Sequence, residues 1–98
     1  MIERITKNED RFDKILESVK ELELALYNFK NIKKDLSQLT RYYESKNWIK
    51  DKEALENNKI PRVKAGVLSE DGVWNMLSDI DSIISDMKKI IKSHEKNN

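Results

Sequence analysis

Apolar residues recur at seven-residue intervals through the first half of the chain. We place Ile5 at position a of a heptad. The apolar residues at position a are then Ile5, Phe12, Val19 and Leu26. Those at position d are Ile15, Leu22, Phe29, Leu36 and Tyr43. Neither glycine nor proline interrupts this stretch. A strict heptad is typical of helices that supercoil around partner helices. We therefore predict one long helix over residues 2–46.

The heptad pattern changes near residue 30. Lys33 occupies position a, and the apolar Ile32 stands beside it at position g. Two poor helix formers, Asn28 and Asn31, lie just before this change. Either the helix turns a new apolar face toward a new partner, or it is bent or broken. We predict one long helix, bent or broken between residues 28 and 35.

A short helix and a connector are expected after residue 46. The spacing of Trp48, Ile49, Lys52 and Leu55 predicts a short helix over residues 47–57. Asn57-Asn58 ends it, because asparagine tolerates the left-handed conformation at a helix end. Residues 58–68 then form an ordered connector, extended before Pro61, in which Gly66 supplies a positive φ or a close backbone approach.

Several signals mark the start of a last helix, predicted over residues 69–95. Ser69 is a good N-cap, because its hydroxyl can accept a free backbone N–H of the first turn. Leu68 and Val73 have the spacing of a hydrophobic staple. Gly72 in the first turn indicates that another backbone approaches closely. The apolar stripe beyond it has the width expected in a helix bundle.

Composition restricts the class of protein but indicates no activity. The chain has 98 residues, which suits one domain, with 38% apolar and 38% charged residues. A net charge of +1 does not favour nucleic acid, and zero cysteines exclude disulfides and thiolate chemistry. No apolar run has the length of a membrane span, and the charged N-terminus lacks a signal-peptide core. We expect a cytoplasmic protein.

The aromatic residues in the middle of the chain are the main candidate site. With one proline and one carboxylate they form a candidate interaction face, which comprises Tyr42, Tyr43, Trp48, Asp51, Pro61 and Trp74. One interpretation is a pocket for a peptide or a base. The other is a small core that covers the end of a helix pair, with the polar tips of Tyr and Trp at its edge.

Charged residues of the same region offer two further hypotheses. A carboxylate-based metal site or enzyme would use Asp51, Glu56, Glu70 and Asp71. Weak nucleic-acid binding would use Lys50, Lys52, Lys59, Arg62 and Lys64. No Glu-x-x-His motif, calcium-loop spacing or catalytic motif accompanies them, and His94 suits the C-terminal end of a helix dipole better than a metal. We therefore expect no enzyme, metal or cofactor.

The middle stretch also resembles a known family. The matching residues are Tyr42-Tyr43-x-Ser45-x-x-Trp48-x-x-Asp51, Glu53, Glu56, Pro61, Gly66-Val67-Leu68-Ser69-Glu70-Asp71 and Val73-Trp74-Asn75-x-Leu77. They resemble the small bacterial proteins called domain of unknown function 4298. Members usually carry Asp-Tyr-Glu where this chain has Asp51-Lys52-Glu53. The resemblance implies an all-helical bacterial protein and brings no activity with it.

These observations predict an all-α fold, a long antiparallel helical hairpin or small helical bundle with a short cross-packed helix. The first helix would be about 65 Å long and the last about 39 Å, which leaves apolar surface uncovered. Folding back at the bend or forming a homodimer would cover it, and we favour the homodimer. We expect a non-enzymatic protein that binds another protein through its aromatic end or its helical stripe.

Overall fold

The fold is all-α, as predicted. A computed structural model describes residues 1–61 and 63–97. Its α-helices are α1 (Ile2–Asn31), α2 (Lys33–Tyr43), α3 (Lys46–Glu56) and α4 (Gly72–Asn97), with a 3₁₀ helix, η1, at Gly66–Leu68. No strand occurs within the described residues. The chain divides into two compact units, Met1–Thr40 and the residues from Arg41 onward, and each is described separately below.

The predicted long helix is two helices, α1 and α2, separated by Ile32. The Ile32 N–H donates to the Phe29 carbonyl at 3.3 Å, a bond to the third residue back that tightens the last turn of α1. Ile32 itself has φ −93° and ψ 0°, outside the helical region. Its carbonyl then accepts from Leu36 N at 2.9 Å, so that α2 begins at once. The interruption lies within the range 28–35 that the sequence indicates.

Helix α2 ends at Tyr43, three residues before the predicted end at 46. Ser45 has φ −89° and ψ 161°, an extended conformation that cannot continue a helix. Its N–H donates to the Tyr42 carbonyl at 3.0 Å and closes the turn. The heptad pattern gave no sign of this end, because Tyr43 still fits position d.

Helix α3 ends as the sequence predicts, at the asparagine pair. Asn58 has φ 57°, in the left-handed region. Its N–H donates to the Leu55 carbonyl at 3.2 Å, and the Lys59 N–H donates to the Ala54 carbonyl at 2.8 Å. These two bonds form a Schellman motif, which satisfies carbonyls that the helix end would otherwise leave without donors.

The buried core of the second unit lies where η1 packs against α3 and α4. Leu68 at the end of η1 is 7% exposed and Val73 in the first turn of α4 is 4% exposed. These are the two residues of the predicted hydrophobic staple. On α4, the partly buried positions continue the same side of the helix, and they are Met76, Leu77, Ile80, Ile84 and Met87.

Helix α4 begins at Gly72, later than the predicted start at residue 69. Its first helical hydrogen bond joins Asn75 N to the Asp71 carbonyl at 2.8 Å, and residues 70 and 71 form a turn. Ser69 still caps the helix, because its Oγ accepts the Gly72 N–H at 3.0 Å. The cap is as predicted, and the predicted boundary is wrong by three residues.

The prediction for Gly66 is wrong, whereas the one for Gly72 is correct. Gly66 has no positive φ, and a Cβ added to it would meet nothing within 4 Å. A Cβ at Gly72 would lie 2.9 Å from the Gly66 carbonyl oxygen and 2.5 Å from Ser69 Oγ. The close backbone approach therefore excludes a side chain at Gly72.

Among the described residues, none of the helices combines the length and the apolar character needed to span a membrane.

Candidate functional site

The α2–α3 turn is held by polar bonds that run back to Tyr42. Ser45 Oγ donates to the Tyr42 carbonyl at 2.6 Å, beside the backbone bond from Ser45 N. Although Ser45 is the N-cap residue of α3, its side chain makes no cap bond to that helix. The serine hydroxyl therefore closes the C-terminal end of α2, and fixes where α3 begins.

The side chain of Tyr42 is joined to α3. Its hydroxyl donates to Asp51 Oδ2 at 2.6 Å, a short bond to a charged acceptor. This hydrogen bond, with partial burial and the negative charge of Asp51, raises the pKa of the Tyr42 hydroxyl above its usual value of 10.0. Asp51 is thus a structural acceptor that links the end of α2 to the middle of α3.

Trp48 connects α3 to η1. Its ring is partly buried, and its Nε1–H donates to the Val67 carbonyl at 2.8 Å. Tyr43 packs edge-on against the same ring, with ring centroids 5.1 Å apart and an interplanar angle of 76°. Edge-to-face contacts of this kind are favourable for aromatic pairs. We call Tyr42, Tyr43, Trp48 and Asp51 the aromatic corner.

Lys52 covers the outer side of the aromatic corner. Its Nζ lies 5.4 Å from the centroid of the Trp48 ring, within the range of a cation–π contact. The same Nζ is 3.3 Å from Glu70 Oε1 and 3.8 Å from Glu56 Oε1. Lys52 therefore links α3 to the turn before α4 and shields the indole that the Tyr43 edge contacts.

The segment from Gly66 to Gly72 is closed by the hydroxyl of Ser69. Ser69 Oγ donates to the Gly66 carbonyl at 2.9 Å while it accepts the Gly72 N–H. Ser69 N also donates to the Gly66 carbonyl, at 3.2 Å. The Ser69 hydroxyl thus bonds to a carbonyl of η1 and to the first N–H of α4.

Four of the six residues of the predicted interaction face lie together in the aromatic corner. The structure favours the small-core interpretation for them, because the Tyr42 hydroxyl bonds to Asp51 and the Trp48 indole bonds to Val67. The Tyr43 ring packs against that indole. Pro61 is exposed, and Trp74 is 61% exposed at the start of α4. Trp74 is the member of the predicted face that offers the largest aromatic surface to a partner.

The carboxylates of the metal or enzyme hypothesis do not converge. Asp51 accepts from Tyr42, and Glu56 and Glu70 lie on either side of Lys52. Within residues 1–61 and 63–97, no group of three or more acidic, histidine or cysteine side chains is placed to hold a metal. For the nucleic-acid hypothesis, Lys52 is engaged by these carboxylates, and Arg62 lies outside the described residues.

Two structural partners were missed at the level of sequence. The Val67 carbonyl accepts from Trp48, and Lys52 lies over the same ring. Every residue has a backbone carbonyl, so the sequence could not indicate that Val67 accepts this hydrogen bond. The pair Trp48 and Lys52 could have been noticed, since residues four apart on a helix are neighbours.

The sequence matches the model of one known family. The model described as Domain of unknown function (DUF4298) matches residues 5–90, most of the chain. The chain belongs to the DUF4298 family. This confirms the resemblance inferred from the sequence. No curated protein and no solved structure matches the chain.

Several of the residues that carry the DUF4298 resemblance have structural roles in this chain. In the first motif, Tyr42, Ser45, Trp48 and Asp51 hold α2, α3 and η1 together. In the second, the Gly66 and Val67 carbonyls accept hydrogen bonds, Leu68 is buried, and Ser69 caps α4. Folding therefore accounts for these residues, whereas Trp74 of the third motif is 61% exposed.

Proposed function

We propose that this protein is a non-enzymatic interaction module, and that the heptad face of α1 is its binding surface. The observation that carries the proposal is the exposure of that face. Helix α1 has 30 residues, of which none is buried. Six of its apolar a and d side chains are 45–61% exposed, whereas Phe29 at the end of the helix is partly buried. The six are Ile5, Phe12, Ile15, Val19, Leu22 and Leu26.

A continuous apolar stripe on an exposed helix is characteristic of a protein-binding surface. Single exposed apolar residues are normal, but contiguous apolar patches mark interaction sites. On α1 the stripe follows a seven-residue period and not a random distribution. That period suits another helix, since each a or d side chain can insert between four residues of a facing helix.

The aromatic corner is the weaker candidate surface. Trp48 and Tyr43 contact each other, and the indole N–H of Trp48 is satisfied by Val67. A partner that inserted there would have to replace these contacts. The stripe on α1 needs no such rearrangement, which supports α1 as the binding surface.

A site-specific photo-crosslinking experiment tests the proposal. A photoreactive amino acid is placed at Val19, on the heptad face, and separately at Leu24, which is 62% exposed at position f on another side of the same helix. After irradiation in cells of the source organism, we expect protein adducts from the Val19 position and few from the Leu24 position. An adduct with a second copy or with another protein supports the proposal equally.

Equal labelling from the two positions, or the absence of adducts at Val19, would contradict it. The Leu24 position is the matched control, because it has the same helix, a comparable exposure and an apolar side chain, but lies off the stripe.

A further inference from the structure

We infer that the occupant of the α1 heptad face is a second copy of this chain, and that the two α1 helices form a parallel, in-register, two-stranded coiled coil. This inference rests on the proposed function, because it names the partner of the same surface. Charges along the edges of the stripe and one asparagine within it support this inference.

The N-terminal part of the stripe shows the geometry that such a dimer needs. A shallow surface groove there is lined by Met1, Arg4, Ile5, Asn8 and Glu9. In the heptad defined above, Met1 and Asn8 are at d, Ile5 is at a, Arg4 is at g and Glu9 is at e. The groove therefore has the helix-facing positions at its centre, with a cation on one side and an anion on the other.

These charges select a parallel orientation. In a parallel pair, position g of one helix lies beside position e of the next heptad on the other helix. Arg4 of each copy then lies beside Glu9 of the other copy, and symmetry provides the pair twice. An antiparallel pair with full overlap brings e beside e, which places Glu9 near Glu23 of the other copy. Like charges at such positions oppose association.

Asn8 selects the same orientation and fixes the register. In a parallel pair, each d residue faces its own counterpart, so Asn8 faces Asn8 of the second copy. In the antiparallel alternative, a faces d, and Asn8 would face the apolar Leu26. A polar residue in the seam costs stability but specifies register, because it is tolerated only opposite a polar group.

The Asn8 side chain is also prepared for partial burial. Its Nδ2 donates to the Arg4 carbonyl at 2.8 Å, and its Oδ1 accepts from Arg11 Nη1 at 3.0 Å. Two of its hydrogen-bonding groups are therefore satisfied within the helix before a partner arrives. One Nδ2 proton and one Oδ1 lone pair remain for the opposing Asn8, so the side chain still requires a polar group across the seam.

The length of α1 is sufficient for this assembly. Thirty residues give about four heptads and a helix of about 45 Å. Heptad patterns sustained over three to four repeats are the usual sign of a coiled coil. The stripe runs from Ile5 to Leu26 with Asn8 as its single polar member.

Cysteine crosslinking tests the orientation directly, since the natural chain has no cysteine. In the full-length protein, Leu22→Cys places a thiol at d, opposite its own counterpart in a parallel pair. We expect rapid disulfide formation between copies. Leu24→Cys, at position f, is the control and is expected to crosslink slowly. A mixture of Phe12→Cys and Leu22→Cys that crosslinks only as a heterodimer would show an antiparallel pair and overturn the inference.

Charge reversal tests the pairing by sedimentation equilibrium. The wild-type protein is expected to sediment with twice the mass of one chain. Arg4→Glu places two acidic side chains together on each side of the N-terminal end of the dimer, and we expect it to raise the dissociation constant about three- to tenfold. Adding Glu9→Arg to Arg4→Glu restores opposite charges and should return the constant close to wild type. Failure of the double variant to recover would contradict the assigned pairing.

The two proposals fail in different ways. A wild-type chain that remains monomeric at high micromolar concentration, or that forms trimers or tetramers, overturns the parallel dimer. If the Val19 photo-crosslink still yields an adduct with another protein, the proposed interaction surface stands and only its occupant is wrong. If neither Val19 nor Leu22 differs from the Leu24 control, both proposals are wrong.

Discussion

The indole N–H of Trp48 donates to the backbone carbonyl of Val67 at 2.8 Å, and so ties α3 to the 3₁₀ helix before α4. The bond crosses 19 residues of sequence and joins a side chain to a main-chain atom. Because Tyr43 and Lys52 contact the same ring, Trp48 is the residue through which α2, α3 and η1 meet.

The two tryptophans are therefore expected to differ in their contribution to stability. Trp48→Ala should lower the free energy of unfolding by about 3 kcal/mol, the lower end for aromatic truncations, since the ring is only partly buried. Trp74→Ala, at a residue 61% exposed, should change it by less than about 0.5 kcal/mol. Urea denaturation followed by circular dichroism measures both. Equal losses for the two variants would show that Trp74 is also part of the core.

The two glycines provide a second matched pair. In Gly72→Ala the new Cβ would lie 2.9 Å from the Gly66 carbonyl oxygen and would also displace the Ser69 hydroxyl. We expect a loss of about 1–2 kcal/mol, because the clash outweighs the better helix propensity of alanine. Gly66→Ala meets open space without a positive φ, and should be neutral or stabilising by up to about 1 kcal/mol. Thermal unfolding measures both, and a stabilised Gly72→Ala would refute the close approach.

Ser69 is expected to be hard to replace even by a good N-cap residue. Ser69→Ala removes the acceptor for Gly72 N–H and should cost about 1–2 kcal/mol. Ser69→Asp keeps an acceptor for the Gly72 N–H, but a carboxylate cannot donate to the Gly66 carbonyl. The carboxylate oxygen and the carbonyl oxygen would then repel each other. We therefore expect the aspartate variant to be less stable than wild type, although Asp and Ser are similar caps elsewhere. An aspartate variant as stable as wild type would show that the donated bond contributes little.

The bond between Tyr42 and Asp51 predicts a loss of stability at alkaline pH. The bond raises the pKa of Tyr42 above 10.0, so the folded chain holds this proton more tightly than the unfolded chain. The stability that this difference contributes is complete below the pKa of Tyr42 in the unfolded chain. It is lost as the pH rises through the pKa of Tyr42 in the folded chain. The free energy of unfolding, measured in urea at several pH values above neutrality, should therefore fall more steeply for wild type than for Tyr42→Phe. Parallel curves for the two proteins would contradict this prediction.

Local signals in the sequence predicted local structure well. The asparagine pair after α3 adopts the left-handed turn, Ser69 caps α4, and the predicted staple of Leu68 and Val73 is the buried core. Each depends on residues a few positions apart, whose spacing determines the geometry.

Predictions that depended on distant contacts, and the predicted end of the first helical stretch, succeeded less often. Helix α2 ends at Tyr43 because Ser45 is extended, although the heptad period continues through this point. The prediction of a positive φ or a close backbone approach failed at Gly66, whereas the close approach predicted at Gly72 is present. Asp51 was a candidate ligand, but Tyr42 on another helix uses it as an acceptor. None of these relationships has a fixed sequence spacing.

The short sequence separation of the bonds around Trp48 also determines how fast this part of the chain can fold. Trp48 to Val67 and Lys52 to Glu70 span 19 and 18 residues. Chains whose contacts are mostly local close small loops and reach the native state in microseconds to milliseconds. The second unit is therefore expected to fold quickly, whether or not the heptad face of α1 is covered.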